Sequence, residues 1–476
     1  MRKQPRWVAP WRVLTDAEME RLHGETTGVL EKVGVDVHDA EARKLLRGAG
    51  AKLDGDRAYI PRELVDEALR AAPGEITVYD REGEPTMQLR PGYVYFGPGS
   101  DVTWVIDPAS GERRPTDLDS IRMMSRLVDA LPNVDFTMSM GIAPEIEPGR
   151  ADQHHFAAMV ESTAKPPIFT AQTPRAMREI AEMAAVVRGG KEAFREKPFA
   201  VLYAMPTSPL YHTHEALQNV LVAADYGIPC IYSSGAMGGV SAPISTAGFL
   251  VVAHAEMLSG LVVHQLARPG APFVGAGVLS WLDMRTTVNY YNGPDVMLIQ
   301  TATVQMTRDF YHLPTFATGG CSDAKSFDQQ AAMEAATSLM SSALCGGNLV
   351  HDVGYLESGL CASPELLVYC DEVIDQMRFL LGGFPVDDES LAVEDIARAG
   401  PHGSFIEDEL TLKRFRRDCW YPRLFERGNY ERWQQAGGKM LGERVRQETL
   451  RILAEHRPPP LPEAVQAEMW RIARGE

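Results

Sequence analysis

The chain has 476 residues, with 47 Lys and Arg against 64 Asp and Glu and a net charge of −17. That balance, with no long basic run, argues against nucleic acid or an anionic membrane as the main partner, because such surfaces are met by clustered Lys and Arg. At 45% hydrophobic and 23% charged residues, the composition is that of a folded globular protein and excludes disordered and fibrous classes.

Residues 1–13 carry charges but no apolar core and no small-residue cleavage site, so no signal peptide is expected. The longest apolar stretch, 247–263, is interrupted by His254 and Glu256 and is shorter than the ~20 residues a membrane span needs. The six cysteines (Cys230, Cys321, Cys345, Cys361, Cys370 and Cys419) form no CxxC pair. They read as reduced thiols, and a cytoplasmic location is expected.

Residues 1–90 read as a small N-terminal mixed α/β region. Within it, 15–33 has helical spacing of Met19, Leu22, Val29, Leu30 and Val33, and 57–60 reads as a strand followed by Pro61 and a helix over 63–71. From 91 to 386 the pattern changes. Short β-branched or aromatic runs occur at 94–96, 134–140, 168–172, 200–205, 229–233, 273–278, 315–319 and 348–354. Each is followed by an amphipathic segment, at 117–131, 151–163, 175–188, 210–226, 244–267, 294–311, 327–345 and 363–381. Alternating strands and helices imply a parallel sheet. Eight units without a dinucleotide fingerprint favour a closed (β/α)8 barrel of the TIM type over an open Rossmann-like sheet. Residues 103–107 and 111–114 read as an inserted β-hairpin. Residues 387–476 read as a charged helical C-terminal extension packed on the barrel, with 458–460 separating its long helix from a last short one, and its partly apolar character points to a homo-oligomer.

In such a barrel, chemistry sits where strands run into their following loops. Those positions hold Gly97 to Asp101, Met140-Gly141, Gln172, Met205 to Thr207, Ser233 to Gly235, Leu279 to Trp281, Gly319 to Asp323, and His351-Asp352 through Ser358. No GxxxxGK[ST] loop, HExxH pair or GxSxG elbow occurs, which removes P-loop, zincin and α/β-hydrolase chemistry. His154 and His155 are neighbours on a helix and point to different faces, so no metal site is expected. His351 reads equally as a loop anchor and as a substrate contact, while Asp101 and Asp323, each after a glycine-rich turn, read first as acceptors of turn amides. Tyr95, Phe96, Tyr203, Tyr232, Trp281, Phe316 and Tyr355 lie near strand ends. Aromatic faces attract quaternary ammonium groups, although each ring taken singly is more often core, since strand residues alternate inward and outward.

The blocks Gly320-Cys321-Ser322-Asp323-Ala324-Lys325 and Asn348-Leu349-Val350-His351-Asp352-Val353-Gly354-Tyr355-Leu356-Glu357-Ser358-Gly359 resemble the trimethylamine methyltransferase family, as do Tyr95-Phe96-Gly97 with Ser100-Asp101, Asp129 to Asp135, and Tyr421-Pro422 through Trp433. The resemblance implies a (β/α)8 barrel that passes a methyl group from a small methylated amine to the Co(I) of a separate corrinoid protein, with no cofactor bound in this chain itself. Archaeal trimethylamine enzymes of this family carry pyrrolysine at or beside the place of Ser358, where this chain has ordinary residues. It is therefore more similar to the glycine betaine methyltransferases, which implies a quaternary, betaine-like substrate. Strand ends and family motif positions together nominate Ser358 and Glu357 as catalytic, and Tyr95, Phe96, Asp101, Tyr203, Tyr232, Phe316, His351 and Tyr355 as substrate-binding. No DxHxxG pattern of a corrinoid-binding domain occurs. Two other readings stay open: a barrel lyase or hydrolase, which needs a general base at the mouth, and a non-catalytic binder of betaine-like solutes.

Overall fold

A computed structural model describes residues 11–476; residues 1–10, part of the segment in which no signal peptide is expected, lie outside the described residues. Seven parallel strands form the central sheet: β1 (Tyr95–Phe96), β2 (Ile168–Phe169), β3 (Val201–Ala204), β4 (Cys230–Ser234), β5 (Phe273–Gly277), β6 (Thr315–Thr318) and β7 (Leu349–His351). Their spatial order is β1-β7-β6-β5-β4-β3-β2, so the first strand pairs with the last, Leu349 opposite Tyr95 and Val350 opposite Phe96. The sheet is thus curled, with helices on its outer face.

The run at 134–140, expected to be a full strand, is reduced to an isolated parallel bridge between Thr137 and Pro167. It still lies between the two edge strands: Asp135 N donates to Phe96 O (2.6 Å), Thr137 N to Pro166 O (3.0 Å), and Ile168 N to Thr137 O (2.8 Å). Two local facts keep it from forming a regular ladder. Pro166 and Pro167 supply no amide hydrogen to it. On the other side, Phe96 N is taken by the Asp135 carboxylate (2.8 Å) instead of a backbone carbonyl.

The eight helical segments are present. Their bounds are α1 (Leu118–Ala130), α2 (Ala151–Ser162), α3 (Pro174–Arg188), α4 (His214–Tyr226), α5 (Thr246–Ala267), α6 (Pro294–Gln305), α7 (Gln329–Cys345) and α8 (Pro364–Leu381). Local chemistry starts them: the side chains of Asp117, Thr173, Thr213, Asp328 and Ser363 each accept from a first-turn amide. Helix α6 runs into a π-helical turn at Met306–Phe310. Helix α5 is long and apolar enough to cross a membrane by composition, yet 72% of that window is buried inside the protein. It packs against the N-terminal helix Asp16–Lys32, α4 and β4, the position of a core helix.

Side-chain alternation divides the core in two. Inward residues, among them Tyr95, Val201, Ile231, Val274, Phe316 and Leu349, form one cluster with Phe136 and Met138. Outward residues such as Leu202, Cys230, Tyr232 and Phe273 pack under the helices. The hairpin Ile76–Tyr79/Pro85–Leu89 inserts Ile76, Val78, Met87 and Leu89 into the inward cluster. Its backbone bonds to Ala164 and Pro198, just ahead of β2 and β3, place it at the amino ends of the strands. Lys165 anchors the same end, its Nζ donating to the carbonyls of Val128, Leu131 and Val134 at 2.6 Å each; burial lowers its pKa to about 8.

The N-terminal strand Val35–Val37 pairs with Tyr211–His212 in the loop before α4, and residues of this region share one apolar cluster with the sheet's outer face. The expected hairpin after β1 is formed by Trp104–Ile106 and Arg113–Pro115. In the C-terminal extension, Leu441–Glu455 packs on α8 and α1, and Glu463–Arg474 on α2 and α3. The guanidinium of Arg423 ties the extension to the buried carboxylates of Asp371 and Glu372 on α8.

Candidate active site

With the hairpin filling the amino end, the space at the carboxyl ends of the strands is left open. A cavity of about 410 Å³ lies there, lined by Ser100 and Asp101 after β1, Met138, Thr170 to Gln172 after β2, Tyr203 to Met205, Tyr291, His351 at the end of β7, and Asp352 and Tyr355 after it. The first turns of α4 contribute Thr213, Glu215, Ala216 and Asn219.

The loops reach this space by sharp reversals. Asp101, Met140, Asp352, Glu357 and Ser358 all have positive φ, between 45° and 72°, a region that non-glycine residues enter at a steric cost and that gathers at functional sites. Gly99 allows the closest approach. A Cβ there would stand 2.2 Å from Asp352 Oδ1 and 2.4 Å from the Tyr355 ring, so only glycine lets the β1 loop pass against the β7 loop. The Tyr355 hydroxyl donates to Ser100 O across that contact.

Three phenol rings, Tyr203, Tyr291 and Tyr355, face the cavity. Burial raises the pKa of each, and the charge of Asp352 raises all three further; they remain neutral phenols at physiological pH. His351 is 2% exposed and rests on Phe316, ring centroids 4.0 Å apart. Its Nδ1 stands 2.6 Å from Asp352 Oδ1, and its Nε2 has no hydrogen-bond partner. Asp101 is exposed to the cavity but ringed by protein, and this desolvation raises its pKa against the hydroxyls of Ser100, Thr170 and Ser139. Behind it, Asp152 accepts from Gln172 N at 2.7 Å and is pushed up to about 6, first by burial and further by the charge of Asp101. Among the described residues no Lys or Arg lines the cavity; its charged side chains are Asp101, Asp352 and Glu215.

Of the residues nominated from sequence, Asp101, Tyr203, His351 and Tyr355 are brought together in this lining. The other six are not. Tyr95 lies deeper inside the sheet, its hydroxyl accepting from Gln88 N at 2.9 Å, and Phe316 sits beneath His351. Phe96 and Tyr232 point outward, Phe96 into the cluster with Val94 and Leu127 and Tyr232 onto His212, whose Nδ1 is 2.7 Å from its hydroxyl. Ser358 and Glu357 stand just outside the lining. Ser358 Oγ donates to Asp323 Oδ1 at 2.7 Å. Glu357 receives both arms of Arg113, at 2.7 and 2.8 Å, and the Arg113 guanidinium lies over the Trp104 ring.

Asp323 also accepts from Tyr291 N (3.0 Å) and Asn292 N (3.1 Å). It therefore fixes the loop that presents Tyr291, a lining residue the sequence reading missed. The local signal is a tyrosine pair ahead of Asn292-Gly293, a turn sequence, away from the ends of β1 to β7. Asp352 and Gln172, also at strand ends, line the cavity too and lie outside the residues nominated from sequence.

Chemically, the cavity offers aromatic faces and negative charge. Rings and carboxylates of this kind hold a cation. Among the described residues no group of three or more His, Cys, Asp or Glu is placed to hold a metal ion. A larger depression of about 620 Å³ lies outside the sheet between α3 and the last helix, where Arg471 is engaged with Glu468 and Lys191 with Asp225.

Known proteins share this fold. The monomethylamine methyltransferase (MtmB) of Methanosarcina barkeri superimposes with a TM-score of 0.52 at 11% identity, covering 93% of this chain and 88% of that one, which shows a shared fold. Trimethylamine methyltransferase MttB of Desulfitobacterium hafniense (strain DSM 10664 / DCB-2) is 30% identical over 463 residues, 96% of this chain and 92% of the relative. Glycine betaine methyltransferase of Desulfitobacterium hafniense (strain Y51) is 28% identical over 461 residues, 96% of each. The family model for trimethylamine methyltransferase (MTTB) matches residues 1–474, and the chain belongs to that family.

Proposed function

We propose that this protein moves a methyl group from a quaternary methylated amine to the Co(I) of a corrinoid carried by a separate protein, at the mouth of a complete (β/α)8 barrel closed by the segment 134–140. The observation that carries the reading is the cavity itself: Tyr203, Tyr291 and Tyr355 with Asp101 and Asp352, and no lysine or arginine among the described lining residues. The relatives named for trimethylamine and for glycine betaine support methylated amines as the substrate class.

In the reaction the N–CH3 bond breaks with its electron pair staying on nitrogen. The electron pair of Co(I) forms the new bond to carbon, cobalt becoming Co(III), and a neutral tertiary amine leaves. No proton moves, so the protein needs no acid–base pair. Its work is to hold the ammonium so that one methyl faces the open mouth, a contribution of orientation, and to keep water away from the reacting centre. The tyrosine faces contribute about 0.5–2 kcal/mol each to holding a desolvated cation.

Asp101, Tyr203, His351 and Tyr355 then meet the substrate, joined by Tyr291 and Asp352. Ser358 and Glu357 act one layer out, through Asp323 and Arg113. The Ser358 hydroxyl is already engaged with Asp323, which fits a substrate that needs no covalent activation. Regions 1–90, 91–386 and 387–476 remain the proposed division of the chain. A cytoplasmic location fits its six free thiols, and self-association fits Val393, Ile396 and Ile406, exposed in the extension.

The test mixes purified protein with chemically reduced Co(I) cobalamin and a panel of methylated amines, following the visible spectrum. Conversion to methyl-Co(III) with a quaternary amine is expected. Tight binding of the panel by calorimetry without transfer to cobalamin or to any corrinoid protein would replace the enzyme reading by that of a solute binder.

A further inference from the structure

Resting on that reading, the geometry points to a narrower substrate class: the cavity takes a quaternary ammonium whose fourth arm is uncharged, and it discriminates against one ending in a carboxylate. A zwitterion needs two receptors. The structure supplies the first, in the tyrosine rings with Asp101 and Asp352. For the second the described residues offer no cation and few free donors.

The candidates for receiving a carboxylate fall one by one. Arg113, close to the mouth, is held by both oxygens of Glu357, and Lys325 Nζ donates to Asp323 O. The backbone N–H of Gln172 is engaged by Asp152 and that of Asp101 by Ser139 Oγ. The amino end of α4 borders the cavity, but its Ala216 amide is capped by Thr213 Oγ1 and Glu215 already stands in its first turn, meeting the helix dipole with its own negative charge. A positive charge on His351 would be met at once by Asp352, 2.6 Å from Nδ1.

A substrate carboxylate would therefore lie among Asp101, Asp352 and Glu215 with no counter-charge among the described residues, and like charges in a partly desolvated site repel strongly. A hydroxyl or amide arm meets no such penalty. His351 supports this independently. It is nine-tenths buried in the cavity wall with Nε2 unpartnered, an imidazole nitrogen suited to a neutral donor or acceptor arm.

The experiment is calorimetry on the full chain with choline, tetramethylammonium, glycine betaine and betaine amide, the last nearly isosteric with betaine but lacking its negative charge. Choline and betaine amide are expected to bind at least tenfold more tightly than glycine betaine, and Glu215→Gln, an exposed position that tolerates the change, should narrow that ratio. A ratio below tenfold, or a reversed one, overturns the inference. The same compounds are then tested for methyl transfer to Co(I) cobalamin. The expected order of binding with transfer from none of them, to cobalamin or to any corrinoid protein, would sink the proposed reaction and leave this inference standing. Transfer from glycine betaine in preference to choline and betaine amide would do the opposite.

Discussion

Gly99→Ala tests the closest contact in the site. Gly99 is not in the left-handed region, so alanine meets no backbone strain there, and the whole effect is steric. The new Cβ would sit 2.2 Å from Asp352 Oδ1 and 2.4 Å from the Tyr355 ring, against roughly 3.5 Å for an unstrained contact. The β1 and β7 loops must separate by about 1 Å, at a cost of about 1–3 kcal/mol for overpacking. The same shift displaces two cavity-lining residues, and a 1 Å misplacement costs on the order of a hundredfold in rate. Urea unfolding should show a midpoint lowered in proportion, and kcat/KM for methyl transfer to reduced cobalamin should fall by about two orders of magnitude. Gly24→Ala is the counterpart. Gly24 lies in the helix Asp16–Lys32 with nothing within 4 Å of its added Cβ, and alanine there should stabilise by about 0.5–1 kcal/mol. If Gly99→Ala unfolds at the wild-type midpoint with wild-type kcat/KM, the two loops are not pressed together and the site described above is wrong.

Three further outcomes follow from the same residues. Asp101 has a raised pKa and is more often protonated than an ordinary carboxyl; a permanent cation favours its ionised form. The Kd of a quaternary ammonium should therefore fall as pH rises, by about tenfold per unit at most, and level off once Asp101 is ionised; a Kd that rises with pH, measured by calorimetry, contradicts this. Tyr203→Leu removes one aromatic face and should raise KM about 2- to 30-fold while Tyr203→Phe changes it little, and equal effects of the two would mean that the hydroxyl, not the ring, contacts substrate. Ser358→Ala leaves Asp323 with its two backbone donors and should cost about 1–2 kcal/mol of stability in denaturant titration with kcat changed less than about threefold; a loss of several orders of magnitude in kcat would place Ser358 in the chemistry itself.

The amino-acid sequence by itself determined the elements that depend on neighbours in the chain. The eight helical segments are legible because their apolar spacing and their caps, such as Thr213 ahead of α4 and Ser363-Pro364 at α8, are local signals. Seven strands were legible as short β-branched or aromatic runs. The run at 134–140 looked the same, but its pairing depends on Pro166, Pro167 and Asp135, and a missing amide on a partner segment leaves no mark on the run itself. The site divides along the same line. Tyr203, Tyr355, Asp101 and His351 follow from their positions at strand ends. Tyr203 and Tyr232 have the same credentials in sequence, yet one faces the cavity and the other a helix. In strands of four and five residues a shift of one position exchanges the two faces, and only the register of β3 on β4, with Tyr203 opposite Ile231, decides between them. Tyr291 and the engagement of Ser358 depend on Asp323, which joins residues 32 and 35 positions away. Contacts of that range are set by how the loops fold over the strand ends, and only the tertiary structure contains them.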